Sequence, residues 1–172
     1  MAILVRGRLA IPDGWPGLAR RFIGVALLCA MAMAMPDPVR AQSRCGNADF
    51  RVMTYNIRLD TPADGNNRWA LRRDLLIGQV RLLKPDILGL QEVLPGQRGD
   101  LAAALPGFAM LGGGRDDGRL GGEAAPLLID RSRYRIAASG MFWLSPTPAV
   151  PSLGWDAGFR RVASWARLVD RS

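Results

Sequence analysis

The chain has 172 residues, with 23 Lys+Arg against 15 Asp+Glu, a formal net charge of +8 and 49% hydrophobic residues. A chain this apolar can bury enough surface to offset its ordering entropy, which excludes disorder over most of its length, and collagen-like and coiled-coil compositions are absent. Histidine is also absent; because it is the usual proton-transfer side chain near neutral pH, a complete His-dependent active site is excluded.

In chain order, Arg20-Arg21 precede Phe22 to Met35, an uncharged apolar stretch of fourteen residues, too short to span a bilayer. With Val39-Arg40-Ala41 behind it, the stretch reads as a secretory leader cleaved after Ala41, followed by a short linker over 42–48 and a domain over 49–172. The expected location is therefore the periplasm or the exterior. Residues 1–41 carry five arginines and two aspartates, so the remainder stays basic and suits an anionic partner. Cys29 belongs to the leader and Cys45 stands alone, so packing must stabilise the domain without an intramolecular disulfide.

Phe50 to Ile57 alternates and is rich in β-formers, and Thr61 to Asn67 supplies turn residues. Trp69 to Leu83 carries Leu76, Val80 and Leu83 at helical spacing, with Asn67 as the expected N-cap. Ile87 to Leu90 is a short apolar strand that delivers Gln91-Glu92 at its end. A strand, helix and strand sharing one sheet place the strands parallel, with their C-terminal ends on one edge. Asn56 and Glu92 are then neighbours. Further elements are expected as a short helix ending near Leu105 and strands at 108–111, 126–130, 134–144 and 161–170. Gly112 to Gly122 is read as a mobile, charged rim without P-loop spacing. Trp143, Trp155 and Trp165 are read as core packing.

Glu92 at a strand end is a natural ligand for Mg²⁺, which prefers oxygen donors and takes one or two carboxylates from a protein. Alone the signal is weak, because a carboxylate at a strand end is usually a solvated loop residue. Asn56 beside it can serve a phosphate oxygen or the metal shell, or satisfy backbone groups at the strand end.

Met53-Thr54-Tyr55-Asn56-Ile57-Arg58, then Ile87-Leu88-Gly89-Leu90-Gln91-Glu92-Val93, resemble the opening of the endonuclease/exonuclease/phosphatase superfamily. Gly113 to Gly118, Gly122-Glu123, Ser139 to Ser145, Gly154-Trp155-Asp156 and Arg161 to Ala166 continue the resemblance in order. It implies an α/β fold, here an incomplete four-layer α/β sandwich with mixed sheet. It also implies Mg²⁺ or Mn²⁺, and hydrolysis of a phosphoester by activated water. By the resemblance Glu92 is the metal-binding glutamate, Asn56 an active-site and metal-shell asparagine, Glu123 a further acidic site position and Arg58 a phosphate contact. The substrate stays open among nucleic acid, phospholipid and sugar phosphate. The family's later Asn-Thr-His-Leu-Asp, Gly-Asp-Phe-Asn and Ser-Asp-His segments do not occur in this sequence. The expectation is thus a truncated phosphoesterase lacking the His/Asp half of its site. The alternative is a non-catalytic phosphate-binding module or inactive remnant. No obligate protein partner is evident, and unpaired strands favour self-association.

Overall fold

Alternation along Phe50 to Asn56 produces a strand with one buried face. In the computed structural model, which describes residues 2–7 and 49–171, Met53 of this strand is fully buried. The strands are β1 (Ala2–Gly7), β2 (Phe50–Asn56), β3 (Ile87–Gln91), β4 (Phe108–Leu111), β5 (Leu127–Asp130), β6 (Tyr134–Trp143) and β7 (Val162–Asp170), with helices α1 (Trp69–Leu83) and α2 (Pro95–Ala104). A five-stranded sheet has the order β1-β2-β3-β5-β4, and β6 and β7 form a separate antiparallel pair.

β2 and β3 are parallel, with Met53 opposite Leu88 and Asn56 opposite Gln91. This is the arrangement expected for two strands joined through α1. All other strand pairs among the described residues are antiparallel. β5 lies between β3 and β4, so the sheet is mixed. Residues 2–7, which the sequence reading places in a leader outside the fold, pair with β2 from Ala2 opposite Tyr55 to Gly7 opposite Phe50. The physical reason is the unpaired row of N–H and C=O groups along that side of β2, which accepts an added strand. The apolar stretch over 22–35, the cleavage position at Ala41 and the linker over 42–48 lie outside the described residues.

The main core forms where Met53, Leu88, Leu90 and Leu128 meet Leu76 and Val80 of α1 and Leu101 of α2. Truncating a buried leucine such as Leu88 in a core of this kind costs about 2–5 kcal/mol. α1 occupies the predicted span, but its N-cap is Arg68 without a side-chain cap bond, a correction to the Asn67 assignment. Residues Pro62–Asn67 form a 3₁₀ segment that ends directly against α1. That segment displaces the cap by one residue.

The β6–β7 pair turns one face inward. Trp143 is buried, its Nε1 donates to the Arg115 carbonyl at 2.7 Å, and Ser164 Oγ donates to the Ala125 carbonyl at 2.7 Å. At the far end, Arg133 bridges Asp86 at 3.0 Å and Asp170 at 3.2 Å, tying the start of β3 to the end of β7. Core packing holds for Trp143, whereas Trp155 is 77% and Trp165 44% exposed. Trp155 lies in the loop before β7, and the Trp165 ring lies outward over Gly140, the residue opposite it.

Candidate active site

Asn56 ends β2 and Glu92 follows β3, so the parallel register delivers both to the same sheet edge. Asn56 Nδ2 donates to Glu92 Oε1 at 2.8 Å, and the Leu59 N–H donates to Glu92 Oε2 at 3.2 Å. These bonds, that from Asn56 foremost, hold the Glu92 carboxyl below the usual carboxylate range, with Arg58 adding to the effect. Hydrogen bonding to the charged form favours it. The Asn56 amide oxygen accepts from the Arg58 N–H at 2.9 Å, so the amide is fixed at both ends.

Backbone geometry around the pair is unusual. Glu92 has φ 61° and Arg58 φ 58°, the left-handed region that non-glycine residues adopt at a cost of order 1–3 kcal/mol and that clusters at functional sites. What holds the Arg58 turn is a set of side chains donating to its carbonyls. Arg72 donates to the carbonyls of Ile57 and Arg58, and the buried Gln97 donates to the Arg58 carbonyl at 2.8 Å. Gln97 Oε1 in turn accepts from the Leu94 N–H at 3.0 Å. One buried amide thus ties the loop after β2 to the loop after β3.

Asn56, Glu92 and Glu123 line one cavity of about 300 Å³, whose wall also includes Arg115, Arg160 and Arg161. Glu123 pairs with Arg115 at 3.0 Å, with both side chains largely covered. Arg58 is placed differently. Its guanidinium makes a fork to Asp64, at 3.1 and 3.0 Å, and this bond chiefly raises its pKa further; Arg58 stands beside the cavity and not among the residues lining it.

The loop from Gly112 to Gly122 is a folded turn, which corrects its reading as a mobile rim. Asp117 accepts from the N–H groups of Arg119 and Gly121 at 2.7 and 2.8 Å, and the Arg115 N–H donates to the Glu123 carbonyl at 3.0 Å. A Cβ on Gly114 would collide with the Gly121 carbonyl oxygen, so this closeness needs glycine. The turn carries Arg115 into the cavity wall.

Among the described residues, no group of three or more His, Cys, Asp or Glu side chains is gathered to hold a metal ion. A Mg²⁺ ion asks less than that, since one or two carboxylates suffice and water or substrate oxygens fill its other positions. Glu92 fits this demand. Glu123 is engaged by Arg115, and the Asn56 oxygen is free for a cation only if it releases the Arg58 amide.

Sequence reasoning singled out Asn56, Glu92 and Glu123, and the structure brings the three together. It missed Arg115, Arg160, Arg161 and Gln97 as parts of the site. For Arg161 the signal was its place at the head of the last apolar strand; Gln97 had none, because a buried glutamine looks like any polar helix residue.

Residues 53–169 match the sequence profile of the endonuclease/exonuclease/phosphatase family. No curated protein sequence matches the chain. Among solved structures, an endonuclease/exonuclease/phosphatase from Bacteroides vulgatus is 42% identical with a TM-score of 0.70, over 72% of this chain and 48% of that one. A mannosyl-6-phosphatase from Bacteroides thetaiotaomicron is 37% identical with a TM-score of 0.68, over 70% of this chain and 46% of that one. The chain thus spans about half the length of these structures. The profile match, together with the Asn56–Glu92 geometry at the sheet edge, places the chain in the endonuclease/exonuclease/phosphatase family.

Proposed function

We propose that the chain carries the metal-and-phosphate half of a phosphoester hydrolase site. The observation that supports this best is the Asn56–Glu92 hydrogen bond at 2.8 Å on the rim of an arginine-lined cavity. In this reading Glu92 holds Mg²⁺ or Mn²⁺, and Asn56 acts as a positioning residue that keeps the carboxylate charged and aimed. A divalent cation, when bound, supplies positive charge at the phosphoryl oxygens, where negative charge develops during hydrolysis. The arginines bind and orient the phosphate. Glu123, held by Arg115, sets the charge of the wall. A phosphate ester of a small molecule is the favoured substrate, because the similar Bacteroides thetaiotaomicron protein is a mannosyl-6-phosphatase and the cavity is small.

A second reading, phosphate binding without turnover, draws support from the absence of histidine in all 172 residues, since proton transfer then needs another donor. The test is turnover of phosphomonoester and phosphodiester substrates by the whole chain with Mg²⁺. The expected outcome is metal-dependent hydrolysis that Glu92→Ala abolishes and Asn56→Ala lowers about 10–100-fold, the usual size of an effect on a ligand's orienting partner. Hydrolysis that survives Glu92→Ala would remove the metal assignment, and phosphate binding with no hydrolysis would establish the second reading.

A further inference from the structure

We propose that the arginine wall of this cavity selects a terminal phosphate dianion, as in a phosphomonoester, over the monoanion of a phosphodiester; the inference rests on the phosphoesterase reading above. Its basis is the unequal pairing of three guanidinium groups. Arg115 is neutralised by Glu123 at 3.0 Å and lies 5.0 Å from the centroid of the Phe159 ring, so its charge and its direction are both committed. Arg160 reaches Asp116 only at 3.6 Å, and its Nε is buried without a hydrogen-bond partner among the described residues. Arg161 lines the cavity and has no ion pair with an acid among the described residues.

Arg160 and Arg161 thus carry charge that acids neutralise weakly or not at all, and an acceptor oxygen entering the cavity supplies the missing partner. A terminal phosphate brings three such oxygens and a charge of about −1.5 to −2 at neutral pH, with its second ionisation near pH 6. It can therefore engage a fork from each of two adjacent arginines, bidentate recognition being the geometry that guanidinium groups favour. A diester has one charge and one free oxygen fewer. It leaves one of the two guanidinium groups short of an acceptor.

The experiment is equilibrium binding of phenyl phosphate and diphenyl phosphate to the whole chain without metal, followed by calorimetry and by amide resonances. Phenyl phosphate should bind about 10-fold or more tightly at about pH 7.5, and the advantage should vanish near pH 5, where its second proton is retained. Arg161→Ala, at an exposed position, should erase the advantage with an unchanged circular dichroism spectrum, and Arg161→Lys should restore only part of it. Equal affinity for the two esters, no binding of either, or equal weakening of both by Arg161→Ala would overturn the inference. Mg²⁺-dependent turnover combined with equal binding sinks this inference and leaves the hydrolase reading in place. Selective binding without turnover does the reverse.

Discussion

Asp117 shows how a single carboxylate shapes the wall of the cavity. It accepts two backbone N–H groups, from Arg119 and Gly121, and these bonds hold its carboxyl below the usual carboxylate range. The folded turn binds a proton less readily than the unfolded chain does. Its contribution to stability is therefore fully present above the ordinary carboxylate pKa and is lost as pH falls through the lowered folded value. The amide resonances of Arg119 and Gly121 should titrate below about pH 3.9, the ordinary aspartate value, and Asp117→Asn should abolish that titration. Titration at or above the ordinary value would show that these bonds do not bias the carboxylate. The sequence shows this loop as charged and glycine-rich but gives no hint that the turn positions Arg115. Side-chain direction inside a glycine-rich loop depends on backbone angles that composition does not encode, as with Gly118 at φ 74° and Gly122 at φ 74°.

Elements were the most legible level, because α1, β4 and the buried runs have strong periodicity or clear Gly/Pro punctuation. Residues 69–83 show the limit of that signal. Leu76 and Val80 are buried as the spacing implies, whereas Leu71, Leu75 and Leu82 are 69–79% exposed, since apolar residues on this helix extend beyond the stripe that the sheet covers. Strand order was less legible. The antiparallel insertion of β5 between β3 and β4 is decided by which backbone edges remain unpaired, not by the strand's own residues. Gly78 gives a test at this scale. It lies on the exposed side of α1, and a Cβ there meets nothing within 4 Å. Gly78→Ala should stabilise the fold by about 0.5–1 kcal/mol through helix propensity and lower unfolded-state entropy, as read from denaturant midpoints. A neutral or destabilising result would show that α1 is not fully formed before the global transition.

Across the whole molecule, apolar surface is distributed unevenly. Strand register puts Phe142, Trp165 and Val169 on the outward face of the β6–β7 pair, each 38–44% exposed, and β6 is the only hydrogen-bonded neighbour of β7 among the described residues. An apolar face beside an open strand edge favours association between copies. Sedimentation velocity should show concentration-dependent assembly across the micromolar range, and Trp165→Lys should weaken it. A strictly monomeric chain over that range would contradict the expectation.

The β6–β7 pair is attached to the rest of the fold at both of its ends, and the attachments differ in kind. Arg133 is a charged clamp on Asp86 and Asp170 at the end remote from the cavity, while near the cavity the Trp143 indole and the Ser164 hydroxyl donate to the Arg115 and Ala125 carbonyls and the Gly113 N–H donates to Met141 Sδ. The ribbon is thus held by charge at its heel and by neutral hydrogen bonds and the buried Trp143 ring at its toe. Any give between the layers would show first as a change in the gap between Arg161 on one jaw and Glu92 on the other, so the reach of the guanidinium groups is set by how the layers are pinned as well as by the loops that bear them.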